Sequence, residues 1–62
     1  MKDELQVVPE RNVWIVKKNN VVHSIHTTRE AAVKVAKILA HNLRTELIIH
    51  SRNGDIFRTR PA

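Results

Sequence analysis

The chain has no cysteine among its 62 residues, which excludes a disulfide framework or a thiolate zinc site as a support for its core. Glycine occurs once, as Gly54, so a glycine-rich loop that cradles phosphates cannot be built. Aromatic residues are limited to Trp14 and Phe57, too few for the stacked rings on which single-stranded nucleic acids are held. No stretch approaches the ~20 consecutive apolar residues of a membrane span. The charged start Met1-Lys2-Asp3-Glu4 lacks the apolar segment of a signal peptide. A cytoplasmic location with no membrane partner is expected.

What is present is the mixture of a small globular domain, 42% hydrophobic and 27% charged, and residues 1–62 are expected to form one unit. Eleven Lys and Arg against six Asp and Glu give a formal net charge of +5. So large an excess on so short a chain favours acidic or polyanionic partners.

Leu5 to Val8 is β-prone and closed by Pro9, with Glu10-Arg11-Asn12 suited to a reversal. Val13 to Lys17 and Val21 to His26 flank Asn19-Asn20, a pair that tolerates positive φ and so predicts a β-hairpin. Within the first arm, Trp14 and Val16 point one way and Val13 and Ile15 the other. Thr27 with Glu30 fits a capping box, and Thr28 is an equally good cap. From there to about Arg44, Ala32, Val35, Ala36, Leu39 and Leu43 share one arc of a helix. Glu30, Lys34, Lys37, His41 and Arg44 lie opposite, a mostly cationic stripe with Glu30 and Lys34 in the favoured i,i+4 order. Glu46 to His50 and Asp55 to Arg60 form a last hairpin about Asn53-Gly54. A two-residue turn there would set Ile49 opposite Arg58 and His50 opposite Phe57, a mixed face that a bulge beside Gly54 would repair. The reading is α+β: one helix on an antiparallel sheet of about five strands, in the order β-β-β-α-β-β.

Such a sheet, covered on one side, should be polar on the other. Val13, Ile15, Val22 and Ile48 nevertheless fall away from the helix. A domain of about 60 residues hides only about 60% of its unfolded surface, so self-association would both cover the surplus and stabilise the fold. A homodimer through the uncovered sheet or through strand edges is expected.

Val7-Val8-Pro9, Trp14-x-Val16-Lys17, Thr28-x-x-x-Ala32-x-x-x-Ala36, Leu39-Ala40 and Glu46-Leu47-x-Ile49-His50-x-Arg52-x-Gly54-x-Ile56 together resemble the small bacterial proteins grouped as domain of unknown function 2188. The resemblance runs from residue 7 to about residue 57. The family commonly carries Gly where this chain has Val13, which implies a differently shaped first turn. The resemblance implies an α+β fold and a bacterial or mobile-element origin, and it carries no assigned chemistry.

Four histidines raise the question of a metal, but His23 and His26 are three apart on a strand, His41 is on the helix exterior and His50 on another strand. Three or four convergent ligands are not in prospect, and no metal or cofactor is expected. His50 is read as a structural residue bonding across the terminal hairpin. Ser24 sits between His23 and His26, but adjacent strand residues diverge, so no nucleophile–base dyad is expected and the chain is read as a non-enzyme. The cations carry the functional expectation. Lys17 and Lys18 at a hairpin tip, Lys34, Lys37 and Arg44 along the helix, and Arg52, Arg58 and Arg60 in the last hairpin are the candidate contacts to duplex phosphates. The alternative is a protein-interaction module that docks a partner by its sheet face or a strand edge.

Overall fold

A computed structural model describes residues 3–59. It contains β1 (Leu5–Pro9), β2 (Trp14–Lys18), β3 (Val21–His26), α1 (Arg29–Leu43), β4 (Leu47–His50) and β5 (Ile56–Thr59). The strands form a single sheet in the order β3-β2-β1-β4-β5. The expected α+β architecture and element order hold, with one refinement. Pairings β1–β2, β2–β3 and β4–β5 are antiparallel, whereas β1–β4 is parallel, Leu5 standing opposite Leu47 and Val7 opposite Ile49. The physical cause is the helix. A crossover carries the chain from one end of a strand back across the sheet, so β4 enters beside β1 in the same direction.

Local chemistry accounts for the boundaries. Asn19 and Asn20 adopt φ of 53° and 68°, as a two-residue hairpin loop of primed type requires. Asn19 also holds the start of β1: its side-chain oxygen accepts from the Glu4 backbone N–H at 2.8 Å, and its own N–H donates to the Glu4 carbonyl at 2.9 Å. Of the two candidate caps, Thr28 is the one used; its Oγ1 accepts from the Ala31 N–H at 3.2 Å. The helix stops where Arg44 turns into the left-handed region at φ 53°, ψ 49°. There the Thr45 N–H reaches back to the Ala40 carbonyl at 3.0 Å, closing the last turn. The Thr45 hydroxyl is buried and donates to the Asp3 carbonyl, which ties the helix exit to the segment before β1.

Core and open face follow from period-two alternation. Leu5, Val7, Trp14, Val16, Leu47 and Ile49 are buried under Ala32, Ala36 and Ala40, with Val33 and Leu39 packed at the margin. The alanines let α1 lie close to the sheet, and large side chains from the strands fill the space. Residues opposite one another across a ladder share a face. Ile25, Ile15 and Val8 therefore form one row on the side away from α1, and Val22, Lys17, Gln6, Ile48 and Arg58 form the next. Ile25 and Val22 are exposed, while Ile15, Val8 and Ile48 are half-buried. Of the four residues expected away from the helix, Ile15, Val22 and Ile48 lie there, while Val13 precedes β2 and stands outside the ladders.

The terminal hairpin differs from the two-residue turn considered for Asn53-Gly54. Residues 51–55 form a longer loop, with the Gly54 N–H bonded to the Ser51 carbonyl at 3.0 Å, the Ser51 N–H to the Asp55 carbonyl at 2.9 Å, and Gly54 at φ 95°. The register moves by one residue, so that Ile49 stands opposite Phe57, Ile48 opposite Arg58 and His50 opposite Ile56. The apolar and charged residues that a two-residue turn would have mixed are thereby separated onto opposite faces. Gly54 at positive φ after the turn is the bulge that was expected to repair the register. A second bulge lies in the β2–β3 pairing, where Val16 faces Ser24 but Lys17 faces Val22, leaving His23 as the extra residue.

Candidate nucleic-acid interface

The helix and its C-cap carry three of the expected cations. Lys34, Lys37 and Arg44 are exposed. At 100° per residue Lys34 and Lys37 project from α1 away from Ala32 and Ala36, whereas Arg44, expected along the helix, is its C-cap in the left-handed conformation just beyond the last helical residue. From residue 34 to the end of α1 at residue 43 the axis rises about 14 Å at ~1.5 Å per residue, which spans about four base pairs at ~3.4 Å each. Glu30 is the single acidic residue of α1, at its first turn. It forms no ion pair with Lys34, since the one salt bridge among the described residues joins Arg58 and Glu46. His41 lies along the same stripe, in the last turn.

The other candidates are placed elsewhere. Lys17 is half-buried on the open sheet face beside Gln6 and Val22. Lys18 ends β2, opposite Leu5 and Val21 and on the helix-side face. Arg52 is exposed but engaged: its guanidinium lies 5.1 Å from the Trp14 ring centroid and donates to the Glu10 carbonyl. Arg58 lies on the open face, 3.9 Å from the Glu46 carboxylate. That pair is well exposed at both ends and contributes little to stability. Arg60 lies outside the described residues. The structure thus brings together Lys34, Lys37 and Arg44 and disperses Lys17, Lys18, Arg52 and Arg58 over the open face and the ends of the sheet.

Three side-chain contacts run against the sequence reading or lie beyond it. His50 bonds not across the terminal hairpin but to Gln6 of β1, with Nε2 3.0 Å from Oε1. The parallel β1–β4 pairing sets Gln6 opposite Ile48, so His50, two residues on, is its diagonal neighbour on the same face. Gln6 in turn donates to the Glu4 carboxylate, so Glu4, Gln6 and His50 form a polar chain over the open face. Ser24 and His26 also meet, Oγ to Nε2 at 2.9 Å, because residues two apart on a strand share a face. The signal was present in that spacing. The Arg52 contact with Trp14 depends on the 51–55 loop and had no local signal. No cluster of three His, Asp or Glu side chains suited to a metal occurs among the described residues, and no helix of the structure is long and apolar enough to cross a membrane.

Residues 5–60 match the family model described as an uncharacterized protein conserved in bacteria, DUF2188. The chain belongs to that family. No curated protein and no solved structure matches it.

Proposed function

We propose that this DUF2188 protein is a small basic binding protein whose α1 surface contacts the phosphate backbone of duplex nucleic acid, as a regulator or accessory factor. The observation that carries the reading is the exposed set of Lys34 and Lys37 on α1 with Arg44 at its C-cap, none of them ion-paired among the described residues, accompanied by a single acidic residue in the helix. Cations displayed in this way displace condensed counterions from a duplex and need no base-reading side chains. The scarcity of aromatics disfavours single strands, because Trp14 is buried and only Phe57 is exposed.

The contact surface sets the expected behaviour. Binding is largely independent of base sequence, weakens steeply with salt, and is insensitive to Lys17, which projects from the opposite side of the sheet. The test is a fluorescence titration of duplex DNA with the Lys34→Glu/Lys37→Glu variant. Affinity should fall at least tenfold across unrelated sequences with the fold unchanged by circular dichroism. Unaltered affinity would remove α1 from the interface.

A second reading is favoured by the open sheet face, where Ile25 is 60% and Val22 50% exposed beside half-buried Ile15, Val8 and Ile48. A protein partner docking there would bind with weak salt dependence and would be displaced by Ile15→Lys rather than by changes in α1.

A further inference from the structure

The strand least supported by its own chain is β5. The helix packs on β1, β2, β3 and β4 and makes no contact with β5. All four residues of β5 are exposed, with Phe57 50% exposed on the helix side and Ile56 56% exposed on the open side. Among the described residues its sole ladder is to β4, which leaves its other edge without a partner strand there. An exposed apolar side chain on each face, Phe57 and Ile56, and an unpaired edge on one short strand form a template for another strand.

We propose that β5 is the pairing edge of a homodimer, in which β5 of one chain aligns antiparallel with β5 of a second copy about a two-fold axis perpendicular to the sheet. The opposite edge of the sheet is unsuited to that role. The extra residue His23 interrupts the ladder of β3, and bulges of this kind protect an edge from pairing. Pairing of β5 with β3 of another copy would also leave free edges at both ends and propagate, whereas pairing β5 with itself closes.

Side-chain chemistry selects the register. A two-fold axis normal to the sheet keeps both helices on one side, so each helix-side residue meets a helix-side residue. Centring the axis on Arg58 would place two guanidinium groups opposite each other, which is unfavourable. Centring it on Ile56 would set Phe57 against the partner's Asp55. Centring it on Phe57 instead makes a cross-strand aromatic pair with the partner's Phe57 and lays Ile56 against the alkyl stem of the partner's Arg58. That third register is the one assigned. Four-residue edges bury less than the ~800 Å² per partner of a standard complex, so the dimer forms in a concentration-dependent manner.

The arrangement has a consequence for polyanion binding that rests on the function proposed above. Since α1 lies over β1 and β2, the two helices sit six strand spacings apart, roughly 29 Å at ~4.8 Å each. That approaches the ~34 Å of one duplex turn, so two cationic stripes would meet successive turns of one duplex.

The dimer is tested without nucleic acid, which keeps its failure separate from failure of the binding reading. Light-scattering mass should rise from one chain toward two as protein concentration increases, and Phe57→Lys should hold the single-chain mass with an unchanged circular dichroism spectrum. The natural absence of cysteine permits a second measurement that does not depend on how well Phe57→Lys folds. Phe57→Cys should oxidise rapidly to a chain-to-chain disulfide, while Thr59→Cys, displaced two residues from the axis, should stay reduced. A single-chain mass at every concentration, or equal crosslinking of the two cysteine variants, would overturn the proposal.

Discussion

The guanidinium of Arg52 lies over the indole of Trp14, 5.1 Å from its ring centroid, and donates to the Glu10 carbonyl. The contact ties the loop after β4 to the turn between β1 and β2, two segments with no ladder between them. It shields a ring that is 7% exposed and commits a cation that would otherwise be free for phosphate.

Replacing Arg52 with Ala removes that shield. The loss is expected to be about 0.5–1 kcal/mol, the range for a cation–π contact at an exposed site. Trp14 is the only tryptophan, so its emission should shift to longer wavelength on this substitution. Affinity for a duplex should stay within a few-fold of the wild type. A tenfold loss of affinity would place Arg52 on the nucleic acid after all.

Arg44 occupies the left-handed region at φ 53°, where a side chain bearing Cβ is disfavoured and glycine is not. Arg44→Gly should stabilise the domain by about 1 kcal/mol, seen as a rise in thermal midpoint, while it weakens duplex binding by removal of a cation. The opposite signs of the two effects separate charge from folding. A fall in the midpoint would show that the Arg44 side chain supports the helix end.

Leu47 is fully buried at the centre of the sheet beneath α1. Leu47→Ala should cost about 2–5 kcal/mol, comparable to the whole stability expected for so small a domain at ~0.05–0.15 kcal/mol per residue. Urea denaturation should therefore find the variant largely unfolded or with a sharply lowered midpoint. In contrast, Ile25→Ala on the open face of β3 should change the midpoint little.

How much of this was legible in the sequence depends on whether the signal was local. Asn19-Asn20, Thr28 and the Ala32-Ala36 spacing each act within one or two turns of chain, and each appears in its expected element. The facing of Trp14 and Val16 inward, with Ile15 outward, follows from alternation alone. The β1–β4 pairing is not local: nothing near Leu5 or Leu47 states that they lie side by side, and that adjacency decides that His50 meets Gln6. In the last hairpin Asn53-Gly54 is a strong two-residue turn signal, and only the mixed face it would create, Ile49 with Arg58, pointed to the alternative of a bulge beside Gly54. The observed loop uses Gly54 at φ 95° within a wider turn and moves Phe57 opposite Ile49. For the candidate interface, Lys34 and Lys37 on α1 were readable from helical spacing, whereas the left-handed turn of Arg44 at the helix end and the diversion of Arg52 to Trp14 and Arg58 to Glu46 were not.

The most direct measurement is the dependence of duplex affinity on salt for the wild type and for Lys34→Glu/Lys37→Glu. Three phosphate contacts from Lys34, Lys37 and Arg44 predict a slope of log K against log salt of about −3, at about −0.9 per contact, and a much shallower slope for the variant. A flat dependence in the wild type, or identical slopes in the two proteins, would contradict the account.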